Sequence, residues 1–292
     1  MRILVDTDPA LMVPGLDLDD DLALLALLGS PEVELAGVTT TYGNTLGWLA
    51  QRDARRLLAM AGRDDIPVVA GAGWFARDLR ETAASRFLVD AVRRAPGELT
   101  LVTLGPLTNL AAAAHSWPEL PRQLAGLVLL GGRAKAGLTD FNFHAHPEAA
   151  RRVLDWPCRK TLLPIDLCFP AVVTRADVAR LTSDERSVVA RFRSTLRRFA
   201  WWQHLLRGLQ GRGDDQEAGG FHPWDLLAPA WLLAPELFSG VRELYPTVEA
   251  TGLSVWRRTG PVTVTVPARV DAAGLVAFLL ARAAVPRLLL RR

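Results

Sequence analysis

This sequence predicts an α/β protein, with a mainly parallel, Rossmann-like sheet flanked by helices, on three observations. Short and wholly apolar runs recur through the first half of the chain. Longer segments with helical spacing separate them. Polar, turn-forming residues follow most of the apolar runs. Strands apolar on both faces are buried on both faces, and strands that alternate with helices run parallel.

The predicted strands are, in order, "ILVDT", "LAGVTTT", "PVVAG", "LTLVTLG", "GLVLLGG" and "TLLPI". Between and after them, apolar residues at helical intervals predict helices in "DLALLALLGS", "LGWLAQRDARRLLAMAG", "SRFLVDAVRRA", "LTNLAAAAHSW" and "HPEAARRVLDW". An extra helical section occupies roughly residues 175–238. The segment "VEATGLSVWRRTGPVTVTVPARVDAAGLVAFLLARA" then predicts a C-terminal strand pair and a last helix. No linker or low-complexity stretch interrupts the pattern, so residues 1–292 read as one domain.

Composition excludes several classes of function. Half of the residues are hydrophobic, 22% are charged and the net charge is +3, a balance that suits a globular protein with a sizeable core. The pI of about 9.3 comes from arginines in helix-like stretches such as "RRFAWWQHLLRGLQGR". These read as solvated helix faces, and with no nucleic-acid motif the expectation is no nucleic-acid partner. Cys158 and Cys168 lack CxxC spacing, so buried free thiols in a reducing compartment are expected. The N-terminus enters a strand pattern at once. The apolar stretch "DLLAPAWLLAPELF" is too short to span a bilayer, so a cytoplasmic protein without a membrane partner is expected.

In open α/β sheets, ligands bind beyond the carboxyl ends of the strands. The loops that matter are therefore residues 6–21, 39–44, 103–109, 131–142 and 166–170. The first holds an anomaly. "ILVDTDPALMVPGLDLDDDLALLALL" carries six aspartates beside a wall of apolar residues. Charges this close repel, and some would protonate unless a positive group held them ionised. Asp6 and Asp8 alternate along an extended segment, so one can face the crevice while the other anchors the loop. Asp19, Asp20 and Asp21 open a helix, where the dipole favours negative charge. Capping alone accounts for those three but leaves "DTDP" unexplained. Together the two groups point to a hard cation bound by oxygen, as calcium is, and the absence of histidine from the stretch argues against zinc. A DxD at the end of a first strand also suits a magnesium-dependent phosphatase of the haloacid dehalogenase type. That reading lacks a later lysine and a second acidic pair, for which Asp166 is a weak substitute.

In order along the chain stand "VDTDP", the "DD" opening a helix, "GVTTTYGN", "IPVVAGA", "LGPLTNLAAA", "LLGG", "DFN...HPEAA", "PWDLLAPAWLLAPELF", "VEATG" and "RVDAAGLVAFLL". With these the chain resembles the nucleoside hydrolase family, of the inosine-uridine preferring kind, over nearly its whole length. The resemblance implies hydrolysis of the N-glycosidic bond of ribonucleosides to ribose and free base, with calcium at the strand ends. It implies that Asp8 is both a metal ligand and the base that takes a proton from the attacking water. Asp20, the Leu104 backbone carbonyl and Asp225 would complete the calcium site, while Asp19, Asn44, Asp140 and Asn142 would grip the ribose. Aligning "DDDLALL" with the family's "DDAxAL" makes Asp21 replace a small residue; sliding by one would pair Asp20 with Asp21 instead. A homodimer or homotetramer is implied as well.

The chain also departs from the family pattern. "DTDPA" replaces "DTDPG", and the loop that follows is several residues longer. "DFN" replaces "EFN", so Asp140 is one methylene short, and His146 stands where Asp is common. Trp224 occupies the position before the C-terminal Asp where many members have the histidine proposed to protonate the leaving base. The nearby His222 is not assigned that role. "GWFARDLRE" replaces "HGxDG". Trp74 and Trp224 offer faces for a base, although core packing is the stronger expectation for each. The metal and ribose half of the site is thus retained and the base half rebuilt. A homologue that binds a ribosyl ligand without turnover is the alternative reading.

Overall fold

The computed structural model describes residues 1–11, 18–73, 78–135, 138–209 and 220–285. The first strand, β1 (Arg2–Thr7), is apolar on both sides from Ile3 to Val5 and lies at the heart of the sheet. After it come α1 (Asp19–Leu28), β2 (Glu34–Thr40), α2 (Gly47–Met60), β3 (Val68–Ala70), α3 (Ala83–Arg94), β4 (Leu99–Thr103), α4 (Thr108–Ser116), β5 (Gly126–Leu130), α5 (Phe141–His144), α6 (Pro147–Leu154) and β6 (Lys160–Leu163). Each of the six strands and five helices that apolar spacing predicted in this half is present. The exception in kind is α5, a single turn, which the sequence reading left within a loop.

The second half is less regular. A two-residue strand β7 (Val173–Thr174) leads into α7 (Arg175–Leu181) and α8 (Arg193–Leu209), and β8 (Gly220–Phe221) returns to pair with β7. Then follow α9 (Leu227–Leu233), β9 (Phe238–Ser239), β10 (Arg242–Val248), β11 (Ser254–Arg257), β12 (Val264–Val266), β13 (Arg269–Val270) and α10 (Ala272–Arg282). The expected C-terminal pair is the antiparallel β10–β11. The "VTVTV" run adds a strand beyond that pair, because β12 inserts between β10 and β6 and runs parallel to β6.

The nine-stranded sheet has the order β11-β10-β12-β6-β5-β4-β1-β2-β3, with parallel pairing from β12 through β3. The chain steps outward from β1 to β3, then returns to place β4 on the other side of β1 and steps outward again to β6. Between β1 and β4 the connections diverge to opposite sides, which opens a crevice at their carboxyl ends.

Helices cover both faces. On one, α1 is buried nearly all round because it packs against α9 and α10, which accounts for "LALLALL" having no polar stripe. On the other, α3, α4 and α6 pack in a row over Leu99, Leu101, Leu127 and Leu129. Helix boundaries follow local chemistry. Thr82 and Ser85 form a reciprocal capping box at α3, and Thr174 and Asp177 do the same at α7. Asp271 caps α10 by accepting the Gly274 N–H at 3.1 Å. Neither Cys158 nor Cys168 is in a disulfide; Cys168 is buried as expected, whereas Cys158 is half-buried. No helix among the described residues is long and apolar enough to cross a membrane.

Asn109, in the first turn of α4, ties the crevice ends of three strands together. Its Nδ2 donates to Asp6 Oδ1 at 2.8 Å and to the Thr40 carbonyl at 3.1 Å, and its Oδ1 accepts the Ala72 N–H at 2.8 Å. The "GPLTN" asparagine is therefore a brace between β1, β2 and the segment after β3. Replacing it strands several buried polar groups at once, so Asn109→Ala is expected to lower stability by about 2–5 kcal/mol. Urea denaturation of both proteins measures this, and a loss near zero would contradict the bracing role.

Candidate active site

The crevice between β1 and β4 encloses a cavity of about 170 Å³ lined by Asp8, Asp19, Asp20, Asn44, Leu104, Leu130, Asp140, Phe141, Asn142, Ile165, Trp224 and Asp225. All eight positions singled out from the sequence meet there, although they come from five separate loops. Among the described residues the lining includes no lysine, arginine or histidine. Phe141, Leu130 and Ile165 form an apolar part of the wall that sequence reasoning did not select. Phe141 was signalled only by standing between two selected residues in "DFN".

Residues Asp6 and Asp8 divide the labour that alternation allows. Asp6 turns into the sheet, where Thr39 Oγ1 donates to it at 2.5 Å and Asn109 at 2.8 Å. Asp8 turns into the crevice, and its Oδ2 accepts the Asn44 N–H at 2.6 Å. Gly43 and Gly105 flank the Asp8 carboxylate so closely that a β-carbon on either would overlap its oxygens. Those two positions must be glycine for Asp8 to sit where it does.

Asp19, Asp20 and Asp21 begin α1, but none of them caps it; the N-cap is Leu18, without a side-chain bond. Successive helical residues point about 100° apart, which separates the three. Carboxylate oxygens of Asp19, Asp20 and Asp225 lie within 4.8 Å of one another. Asp225 enters from the turn before α9, and its N–H donates to Asp19 Oδ2 at 3.3 Å. Asp20 Oδ1 accepts from the Thr7 hydroxyl and, at 3.1 Å, from the Asp8 N–H, while its Oδ2 accepts from Asn44 Nδ2 at 3.0 Å. Asp21 is not part of that cluster; it lies close enough to Asp53 of α2 to be repelled by it, and the Leu11 and Ala10 backbone offsets only part of the cost of its burial. This geometry favours the register that pairs Asp19 with Asp20. It also brings Asp19, expected on the ribose, into the tightest acidic cluster.

The electrostatics fit a cation. Two ionised carboxylates at such a separation repel by roughly 3–4 kcal/mol at an effective dielectric constant of about 20. Burial pushes the Asp20 carboxyl above its ordinary range, against the pull of the Thr7, Asp8, Asp225 and Asn44 hydrogen bonds. Burial pushes Asp6 up to about 7, and pushes Asp21 well above the usual carboxylate range, with Asp20 and Asp53 adding repulsion. A buried set of oxygen donors with no positive side chain to neutralise it is the donor chemistry of a hard divalent ion. The Leu104 carbonyl is at the cavity wall, where Asn142 Nδ2 donates to it at 2.6 Å.

The remaining departures have structural explanations. His146, at the N-cap of α6, is buried and its Nδ1 lies 3.2 Å from the Thr108 hydroxyl, which in turn is 3.4 Å from the Tyr42 hydroxyl. His222 is anchored through Nδ1 to the Ala171 carbonyl at 2.8 Å and packs between the rings of Phe169 and Trp224. It does not line the cavity. Trp224 does, while part of its ring packs on the core. Trp74 lies outside the described residues. Asp166, the weak phosphatase candidate, is committed to an ion pair with Arg133 at 3.0 Å.

Fold and site together define a Rossmann-like α/β protein with a buried acidic crevice at its topological switch point. The model of the inosine-uridine preferring nucleoside hydrolase family matches residues 3–277, and the chain belongs to that family. The pyrimidine-specific ribonucleoside hydrolase RihA of an Enterobacter species is 30% identical over 82% of this chain and 82% of its own length. The non-specific ribonucleoside hydrolase RihC of Escherichia coli is 30% identical over 86% and 85%. The solved structure of a purine-preferring ribonucleoside hydrolase from Gardnerella vaginalis superposes with a TM-score of 0.84 at 22% identity, covering 97% of this chain and 98% of that one. Membership removes the phosphatase reading.

Two outcomes follow from this geometry. Gly105→Ala drives a methyl group into Asp8 and Thr41, and is expected to cost about 1–3 kcal/mol in urea denaturation; an unchanged midpoint would contradict the packing. The pH dependence is set by carboxyls that keep protons the unfolded chain has shed. With Asp6 at about 7 and Asp140 at about 6, against 3.8 unfolded, the folded state binds more protons between those values. The penalty is absent below pH 3.8, grows as pH rises, and is complete above about 7. The chelator-treated protein should therefore melt at lower temperature at about pH 7.5, above the window, than at about pH 5, inside it, and a rise instead would refute the assignment.

Proposed function

We propose that this protein hydrolyses the N-glycosidic bond of ribonucleosides, giving ribose and free base, with calcium as its metal and with residues 1–292 acting as one hydrolase domain. The observation that carries the reading is the convergence of Asp8, Asp19, Asp20 and Asp225 on one buried crevice without a positive side chain. Asp8, Asp20, Asp225 and the Leu104 carbonyl would hold the ion. When bound there, calcium would supply positive charge that lowers the pKa of a water and attracts the ribose hydroxyls.

The rest is the work of the chain. Asp8 is fixed by the Asn44 N–H and by two flanking glycines, in the crevice where its carboxylate would take the proton of the attacking water. Asn44 spends its N–H groups on Asp8 and Asp20, which leaves its carbonyl oxygen to accept from a ribose hydroxyl. Asn142 likewise directs its amide N–H to backbone carbonyls and keeps its oxygen for the sugar. Asp19 stands beside them as a further acceptor. Holding ribose by several directed bonds places the anomeric carbon next to the base, and the positive charge that develops at that carbon as the bond breaks is favoured by the surrounding carboxylates. The leaving base would face Trp224, Phe141 and Ile165, a wall with no histidine among the described residues, so the departing nitrogen would take its proton from solvent water.

Ribose release from a panel of purine and pyrimidine ribonucleosides, with calcium and after chelation, tests the reading. Calcium-dependent release is expected, and Asp8→Asn should lower kcat by about 10²–10⁴-fold with the melting transition retained. Release from no nucleoside in calcium would move the protein to a ribosyl-binding role, and full activity of Asp8→Asn would refute the mechanism.

A further inference from the structure

Asp140 is the residue where resemblance and geometry part. The resemblance puts it on the ribose, one methylene short of the usual glutamate. In the structure its carboxylate is occupied by the backbone. Oδ2 accepts the Gly132 N–H at 2.6 Å, and Oδ1 accepts the N–H groups of Asn142 at 2.9 Å and Phe143 at 3.4 Å. Asp140 is the N-cap of α5, with φ −113° and ψ 163°. Its other partner, Gly132, is reached only because Gly131 and Gly132 turn with φ of 151° and 72° at the end of β5. Asp140 lines the cavity as the other acids do, and what sets it apart is that both of its oxygens are engaged by backbone N–H groups.

The next link is Asn142. Its backbone is held by Asp140, and its side-chain Nδ2 donates to the carbonyls of Leu104 at 2.6 Å and Leu130 at 3.3 Å. One carboxylate thus ties the turn after β5 to the first turn of α5. Through Asn142 it also sets the carbonyls that end β4 and β5. A shorter side chain is what this arrangement requires: glutamate would push its carboxylate a carbon further and could not cap α5 and reach Gly132 from the same backbone position.

We propose that Asp140 is a positioning residue and not a ribose ligand, acting through Asn142 to aim the Leu104 and Leu130 carbonyls into the crevice. Its kinetic consequences rest on the hydrolase reading; its structural consequences do not. The resemblance casts Asp140 as a direct sugar contact whose reach is too short. A positioning role makes aspartate the fitted residue.

The test uses Asp140→Glu, Asp140→Ala, Asn142→Ala and the double variant Asp140→Ala/Asn142→Ala, each first shown to unfold cooperatively. A positioning residue predicts that Asp140→Glu loses kcat/KM by about tenfold to a hundredfold, the scale of a small misplacement in a site. It also predicts that the double variant is no worse than Asn142→Ala, because both changes remove one device. A direct ribose ligand predicts the reverse: Asp140→Glu keeps or raises kcat/KM, and the two losses multiply. Either of those results overturns the proposal. Amide hydrogen exchange by NMR supplies a readout free of turnover. The Gly132 and Asn142 amides should exchange at least about tenfold faster in Asp140→Glu than in the unaltered protein, and unchanged protection would also overturn it. An unaltered protein that hydrolyses no nucleoside would sink the hydrolase reading while leaving the exchange result to decide the role of Asp140.

Discussion

The constraint that organises this molecule is the mutual repulsion of carboxylates buried at the end of β1 and the start of α1. Asp6, Asp8, Asp19, Asp20 and Asp225 are all at most 5% exposed, so water does not relieve them. The fold supplies partial relief from donors: the hydroxyls of Thr7 and Thr39, the amides of Asn44 and Asn109, and the positive end of α1. Those donors hold the acids in place without neutralising them. What they leave is a compact set of oxygen donors of the kind a cation can occupy. A buried unpaired charge is among the costliest features a protein can carry, and burial accordingly pushes the Asp6, Asp20 and Asp21 carboxyls upward.

The supporting architecture serves this cluster. The strand order sends the chain to both sides of β1, so the loops after β1, β2, β4 and β5 all rise at one edge of the sheet. Their approach is close enough that Gly43 and Gly105 are the only residue type tolerated against Asp8. Asn109 and Thr39 clamp the strand ends beneath, while Tyr42, Thr108 and His146 link the loops behind the crevice. The irregular second half of the chain contributes one carboxylate, Asp225, carried by the turn into α9. That helix packs on α1, and so the two halves of the acidic cluster are held by a helix–helix contact.

The base side of the crevice follows different rules. Trp224, Phe141 and Ile165 make it apolar, and the nearby histidine is turned away to the Ala171 carbonyl. Relatives include enzymes named for pyrimidine and for purine preference. The polar side of the crevice is built from short, directed groups, which a change of one atom disturbs. An apolar wall accepts flat rings of several sizes, and this half of the site is free to vary.

How much was legible beforehand divides along the same line. Strands and helices of the first half were readable because burial on both faces demands continuous apolar runs and helical packing demands a period near 3.6. The crowding of aspartates was enough to point to the acidic crevice, since so many like charges in one short span must meet somewhere at the strand ends. The β7–β8 pair and the insertion of β12 were not readable: two- and three-residue strands exist only because a neighbour supplies their hydrogen bonds. Nor could sequence separate the adjacent acids. That Asp20 joins the crevice cluster while Asp21 stays outside it, near Asp53, is decided by the rotation of α1 against its neighbours. In the same way "DFN" reads as two ligands on a loop, whereas the tertiary structure spends Asp140 on the N–H groups of Gly132, Asn142 and Phe143. Sequence by itself determined which chemistry the protein carries, because residue types limit donors and charge. Only the tertiary structure decided which of those residues face the ligand, because orientation depends on contacts between segments far apart in the chain.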